Sequence, residues 1–298
     1  MAAYEYETVG VFTDRQFSGN PLAVLPDARG LSSEQMQKIA AEFNLSETTF
    51  VLPPDNPQHH ARVRIFTPKA ELGFAGHPNV GTGYVLGRRA KHPPEHFVFE
   101  EEAGLVRVHL LRGPDRTICG ARISAPRSLS IGDDVPVQTV AACASLRPED
   151  IATGAHTPLI ASVGTPFAIA GVASVAALSR AAPDLAAFRE AEKRFPMFAL
   201  HLYAWIGDGE RRIRARMFAP SAGVMEDPAT GSANAALAAL LTSLAPGSDV
   251  DLLYEIEQGM EMGRPSKIIA GARKEVDGPI VATVSGDCVA VMRGVLEL

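Results

Sequence analysis

Two short stretches of the 298-residue chain carry residue types and spacing from which chemistry could be built. The first is Glu226-Asp227-Pro228-Ala229-Thr230-Gly231-Ser232-Ala233, which runs into the Ala/Leu-rich segment Asn234 to Leu244. Asp227 reads as an N-cap, Pro228 suits the first helical position because no N–H is needed there, and the segment beyond reads as a buried helix. The second is Gly76-His77-Pro78-Asn79-Val80-Gly81-Thr82-Gly83. Both stretches follow one pattern: a polar residue, Pro, two variable residues, Gly, Ser/Thr, then Ala/Gly. Each helix start offers up to four unpaired N–H groups and a partial positive charge. If the two starts face one cleft, backbone donors at Gly76/His77 and Gly231/Ser232 would hold a small anion, most simply a carboxylate. The alternative is that His77 and Asp227 only cap their helices.

The second stretch looks like a copy of the first, and other matches extend the pattern. Arg64-Ile65-Phe66-Thr67-Pro68 matches Arg216-Met217-Phe218-Ala219-Pro220 at an offset of 152 (216 minus 64), and Pro78 matches Pro228 at 150. Pro21-Leu22-Ala23-Val24 matches Pro166-Phe167-Ala168-Ile169 at 145, and Glu102-Ala103-Gly104 matches Glu257-Gln258-Gly259 at 155. Near-constant offsets predict two structurally similar halves, residues 1–127 and 128–298, with a last strand that could pair with either. The Pro-, Ser- and Asp-containing segment from Ala125 to Val137 marks the boundary.

The elements that must position these residues follow from periodicity. Glu5 to Phe12 alternates as a half-buried strand, and Leu22 to Leu25 is a short apolar strand after the Ser18-Gly19-Asn20-Pro21 turn. Ser32 or Ser33 caps a helix carrying Met36, Ile39, Ala40 and Phe43, which ends at Asn44. Strand Leu45 to Leu52 follows, with Glu47 at its mouth, then strand Ala61 to Phe66, a glycine-rich approach from Leu72 to Gly76, and a small-residue helix from near Pro78. Strands are predicted at Phe97 to Glu100 and Leu105 to Leu111. The second half repeats the order: a helix near Gln138 to Ser145, strands Leu159 to Ser162 and Phe167 to Ala170, helices from Ser174 and from Asp184 to Lys193, strands Leu200 to Ile206 and Arg212 to Phe218, and the helix after Pro228. Ser266 to Ala270, Ile280 to Ser285 and Cys288 to Leu296 are strand-like.

Composition narrows the function. A net charge of -6 without a Lys/Arg run argues against nucleic acid, and no segment approaches 18 uninterrupted apolar residues, so no membrane span is expected. The N-terminus lacks the basic and apolar regions of a signal peptide, which points to a cytoplasmic protein. Cys119, Cys143 and Cys288 are odd in number and far apart, and read as reduced core residues with neither disulfide nor metal role.

Five motifs in order carry a family resemblance: Phe17-Ser18-Gly19-Asn20-Pro21-Leu22-Ala23-Val24, Ser46-Glu47-Thr48-Thr49-Phe50, Gly73-Phe74-Ala75-Gly76-His77-Pro78, Glu226 to Ala233, and Gln258-Gly259-Met260-Glu261-Met262-Gly263-Arg264-Pro265-Ser266. Together they resemble the PhzF-like (phenazine biosynthesis) family from about residue 8 to 270 or beyond. The resemblance implies an α+β, diaminopimelate-epimerase-like fold: two pseudo-symmetric domains, each a mixed or antiparallel sheet wrapped round a central helix, with the active site between them and often a homodimer. The characterised family member isomerises trans-2,3-dihydro-3-hydroxyanthranilate without cofactor or metal. Carried over to this chain, Glu47 is the catalytic acid/base, His77 and Asp227 the assisting polar pair, and Gly76, Gly231 and Ser232 the contacts to the substrate carboxylate. The chain departs from the family at Asn79, where a small hydroxyl residue is common.

The residues agree with that chemistry. Moving a proton between carbons of a conjugated acid needs one carboxylate that takes and returns it, with a pKa raised toward neutrality by burial. Glu47 suits this, the bland alternative being a solvated strand-edge glutamate. Racemases and epimerases of this fold use two cysteines, one at each helix start, whereas these starts read His77 and Asp227 with no cysteine nearby. The expected protein is an isomerase of a small unsaturated or cyclic amino or hydroxy acid, needing no cofactor. The alternative is a non-catalytic binder of a small carboxylate metabolite.

Overall fold

The computed structural model describes residues 2–195, 199–207 and 211–298, and the chain forms two compact units, Met1–Pro126 with Ser285–Leu298 and Arg127–Val284. The first unit runs β1 (Ala3–Val11), β2 (Asn20–Leu25), α1 (Ser33–Phe43), β3 (Glu47–Leu52), β4 (Ala61–Phe66), β5 (Glu71–Leu72), α2 (Gly76–Arg89), β6 (His96–Glu101), β7 (Gly104–Arg112) and β8 (Ile118–Ser124). Its sheet order is β1, β2, β3, β4, β6, β7, β8, with the β2–β3 and β4–β6 pairs parallel. The last strand of the chain, Val281–Glu297, pairs with both β1 and β8 and so closes this sheet on itself. Ser32 caps α1 in a reciprocal arrangement with Gln35, and Asn44 ends it in the left-handed region at φ 50°.

Within this sheet α2 packs against β1, β2, β3, β7 and β8, and every residue from Gly76 to Val85 is buried. A helix walled in on several sides must be narrow. A Cβ on Gly81 would stand 2.5 Å from Leu22 Cδ2 and 2.8 Å from Val11 Cγ2, and one on Gly83 would stand 2.5 Å from Val108 Cγ1. The glycines each weaken the isolated helix by about 1 kcal/mol, and the apolar area they allow the walls to bury offsets it.

The second unit runs β9 (Ser130–Asp134), α3 (Val137–Cys143), β10 (Ile151–Ala152), β11 (Leu159–Ser162), β12 (Pro166–Val172), α4 (Val175–Arg180), α5 (Leu185–Glu192), β13 (Leu200–Trp205), β14 (Arg212–Ala219), β15 (Val224–Asp227), α6 (Gly231–Leu244), β16 (Val250–Gln258) and β17 (Ser266–Lys274). Its sheet order is β9, β11, β12, β13, β14, β16, β17, and α6 packs against β11, β12, β16 and β17. Here alanine replaces glycine as the narrow residue, and Ala233 to Thr242 are all buried. No helix among the described residues is long and apolar enough to cross a membrane.

Strand pairings fix how the two units correspond. Phe66 faces Thr48 and Arg64 faces Phe50, while Phe218 faces Leu200 and Arg216 faces Leu202. The β3–β4 pair therefore matches β13–β14 at 152 residues (216 minus 64). The matching arginines do the same work: Arg64 lies 5.1 Å over Phe66 and grips Glu71 with two bonds of 2.6 Å, and Arg216 lies 4.9 Å over Phe218 and grips Glu226 at 2.7 and 2.8 Å.

The helices correct the sequence reading. Both open Gly-x-x-Asn, Gly76 to Asn79 and Gly231 to Asn234, an offset of 155 (231 minus 76), so the Pro78/Pro228 match at 150 was out of register. Nor is Asp227 an N-cap: it ends β15, pairing with Met217, and α6 begins at Gly231 after Thr230. Likewise α2 begins at Gly76 after Ala75, two residues before Pro78. The strands after the helices shift too. Arg62 faces Glu100 in β6 and Arg214 faces Glu257 in β16, which makes Glu101 the counterpart of Gln258 at 157 (258 minus 101). β8 and β9 lacked a sequence signal, β9 because all five of its residues are exposed.

Candidate active site

In the first unit, β3 and α2 bring Glu47 and His77 together. Asn44 turns the chain out of α1 so that Glu47 opens β3, where it pairs with Leu22 of β2. His77 is the second residue of α2, and Pro78 after it gives up an N–H that a first turn does not need. His77 Nε2 stands 3.1 Å from Glu47 Oε2, with side-chain exposures of 7% and 16%. The approach lies within ion-pair range but off the alignment of a good hydrogen bond. Burial drives the His77 pKa down to about 3, so the imidazole is neutral at physiological pH. The ring that Glu47 faces is therefore an uncharged imidazole that can share a proton.

Gly76, also buried, opens α2, and no side chain caps the helix. Asn79 Nδ2 donates to the Ala75 carbonyl at 3.0 Å, bracing the turn on which Gly76 and His77 sit. An uncapped helix start beside a carboxylate and a neutral imidazole suits an anionic substrate carrying an exchangeable proton.

In the second unit Asp227 belongs to a hydrogen-bonded assembly just ahead of Gly231 and Ser232. Thr230 Oγ1 donates to Asp227 Oδ2 at 2.5 Å. The direction of that bond is set by Gln258, whose Nε2 donates to Thr230 Oγ1 at 3.1 Å and to the Asp227 carbonyl at 2.8 Å. Gln258 Oε1 accepts from Thr230 N at 3.2 Å and from Asn234 Nδ2 at 2.7 Å, so both ends of the amide are assigned by their partners. Asn234 Nδ2 also donates to the Thr230 carbonyl at 3.0 Å, and His201 Nε2 lies 3.1 Å from Asn234 Oδ1. Since that oxygen only accepts, the His201 proton sits on Nε2. Burial pushes the His201 pKa down to about 4.

A continuous chain thus runs from Asp227 through Thr230, Gln258 and Asn234 to His201, and Asp227, Thr230, Asn234, His201 and Gln258 are all buried. Gly259 permits it: at φ +75° a side chain would be strained, and a Cβ would stand 2.6 Å from the Pro228 carbonyl. Ser266 Oγ donates to that same carbonyl at 2.9 Å. With Thr230 engaged, no side chain caps α6, whose first two residues are Gly231 and Ser232.

The helix starts therefore hold His77 in one unit and Ser232 in the other, which replaces the expected His77/Asp227 pair. Asp227 sits four residues before Gly231, in the strand that approaches the helix. No cysteine stands at either start, and burial pushes the Cys143 thiol up to about 12 and the Cys119 and Cys288 thiols upward, away from a ready thiolate. Sequence reading missed Thr230, Asn234 and His201 as members of this assembly. The shared Gly-x-x-Asn was the signal that could have found Asn234.

Comparison with known proteins agrees with this architecture. The family model described as phenazine biosynthesis-like protein (PhzC-PhzF) matches residues 9–294. An uncharacterised isomerase of Mesorhizobium japonicum is 38% identical, over 99% of both chains. A trans-2,3-dihydro-3-hydroxyanthranilate isomerase of Pseudomonas chlororaphis is 37% identical over 99% of this chain and 100% of its own. Among solved structures, a PhzF-family phenazine biosynthesis protein of Bacillus anthracis superposes with a TM-score of 0.89 at 24% identity, covering 100% of each chain. A hydroxyproline epimerase of Agrobacterium vitis shares the fold, with a TM-score of 0.63 at 14% identity over 99% of this chain and 93% of its own.

Proposed function

The chain belongs to the phenazine biosynthesis-like (PhzC-PhzF) family and is an isomerase, and from that premise we propose that Glu47 moves a proton between two carbons of a small unsaturated or cyclic amino or hydroxy acid. One observation carries the reading. The Glu47–His77 pair exists in one unit only: at the matching positions of the other stand Ala199, the residue before Leu200, and Ser232. An enzyme that inverts a carbon needs a base on each face, whereas one that shifts a proton along a conjugated system needs a single group acting first as base and then as acid.

In this reading the substrate carboxylate takes backbone donors at an uncapped helix start, of the kind offered at Gly76 and at Gly231 and Ser232. Glu47 takes a proton from one carbon, and the electron pair moves through the conjugated system. The protonated Glu47 then delivers the proton to a second carbon on the same face. His77, kept neutral by burial, shares a proton with Glu47 without becoming a competing cation. Asp227, its oxygen oriented by Thr230, takes the assisting role that the family pattern gives it. The Pseudomonas chlororaphis relative's named activity makes trans-2,3-dihydro-3-hydroxyanthranilate the first substrate to test.

The test is to incubate that acid and related small unsaturated acids with the enzyme in deuterated water and follow label at carbon. Wild type should incorporate deuterium into product, and Glu47→Gln should lose at least about 1,000-fold in rate, since it keeps the shape but cannot carry the proton. Label uptake that survives Glu47→Gln removes Glu47 from the role. Tight binding with no exchange would mean that the chain only binds its acid.

A further inference from the structure

One buried carboxyl group is unused by this mechanism. Glu101 ends β6, and both its oxygens are shut off from solvent without an aligned hydrogen-bond partner. The Asn79 side chain lies against it, and Asn79 Oδ1 is likewise buried with no partner. The second unit shows what this seat is for. Gln258, the counterpart of Glu101, accepts from Asn234 with one end of its amide and donates with the other to the backbone approaching α6. Asn79 and Asn234 match as well, each donating to the carbonyl four residues earlier at 3.0 Å. A carboxylate in Gln258's position has nothing to donate, but a carboxylic acid does.

We propose that Glu101 is a positioning residue that works in its protonated form, its O–H and carbonyl taking the two roles of the Gln258 amide so that Asn79 and the first turn of α2 are held in place. Its effect on catalysis rests on the isomerase reading, because that turn carries Gly76 and His77.

The surroundings favour the neutral acid. The charged groups lining the cleft at this end of β6 are Asp55, Arg62, Arg64, Glu71, Glu100 and Glu102. Arg64 is engaged by Glu71 at 2.6 Å and Arg62 lies 3.6 Å from Asp55, while Glu100 accepts from the Asp55 and Asn56 N–H groups and lies 2.6 Å from His59 Nδ1. Among the described residues no Lys or Arg pairs with Glu101, and the remaining neighbours are acidic. His77, two residues before Asn79, is neutral. Burial raises the Glu101 pKa to about 8 and outweighs the opposing contact with Asn79.

The test combines infrared spectroscopy with pH profiles. Wild-type enzyme with isotope-labelled glutamate should show a protonated carboxyl C=O band at pH 7 that disappears with a midpoint near pH 8 and is missing in Glu101→Gln. Thermal midpoints should fall for wild type relative to Glu101→Gln as pH rises from 6 to 9. In the exchange assay wild type should decline on the alkaline side with that same midpoint, Glu101→Gln should be flat there, and Glu101→Ala should lose about 10-fold at neutral pH, the loss being rescued by Gln. A wild-type spectrum with no such band at pH 7, or an alkaline limb identical in wild type and Glu101→Gln, overturns the proposal. If wild type turns over no substrate, the isomerase reading fails, while the infrared band and the melting curves still decide the state of Glu101.

Discussion

Replacing His201 with glutamine should remove a specific acid sensitivity from the second unit. The folded protein holds His201 at a pKa of about 4, against an ordinary 6.5, because burial disfavours the imidazolium. The unfolded chain therefore binds the proton first: stability from this group is whole above pH 6.5 and drains away as pH falls toward 4. At about 1.4 kcal/mol per pH unit, wild type should lose about 2 kcal/mol between pH 6.5 and 5 and about 3 kcal/mol by pH 4 through this one residue. Carboxylates with lowered pKa values, such as Asp150, act below that window. Trp205, the only tryptophan, lies on the same strand as His201 and stacks edge-on against Tyr203, so its emission reports this unit. Urea titrations followed at Trp205 at pH 7.5, 6 and 5 should give a steeper fall for wild type than for His201→Gln. The glutamine can still donate to Asn234, and His156, the other histidine of Arg127–Val284, is common to both proteins. Parallel stability curves for the two proteins would refute the claim that His201 is buried in its neutral form.

Other outcomes follow from the same geometry. Thr230→Val removes the hydroxyl that orients Asp227 at 2.5 Å, and since bonds to charged groups are worth about 1.5–3 kcal/mol, kcat/KM should fall about 10- to 100-fold with Thr230→Ser close to wild type. Equal activity in Thr230→Val and wild type would show that the bond plays no part in catalysis. Gly81→Ala places a Cβ 2.5 Å from Leu22 Cδ2 and 2.8 Å from Val11 Cγ2, so overpacking of about 1–3 kcal/mol should exceed the helix-propensity gain of about 1 kcal/mol. Circular dichroism melts decide the sign, and a variant more stable than wild type would mean that the walls round α2 are looser than described.

Much of this protein could be read from its residues in order. Periodicity located α1 with its Ser32 cap, and the paired Arg-x-Phe motifs identified β4 and β14 as equivalents, because a side chain's local neighbours are set by spacing along one element. The five motifs indicated the family, and the Gly- and Ala-rich runs indicated the small-residue helices. Sequence could not set the register between copies. Proline matched proline, but the helices begin Gly-x-x-Asn, and the connecting segments differ in length by a few residues that a one-dimensional comparison absorbs in the wrong place.

Tertiary structure decided the rest, since it depends on atoms far apart in the chain. Glu47 and His77 are 30 residues apart in sequence (77 minus 47) and meet at 3.1 Å only because β3 and α2 are neighbours in a closed sheet. Asp227 looked like a cap because an aspartate before a proline and a helix usually is one. Its partner proves to be Thr230, locked in place by Gln258 from another strand. The sequence supplied the chemical groups; folding decided which are neutral, which are oriented and which stand alone, because burial and hydrogen-bond partners are properties of the packed chain.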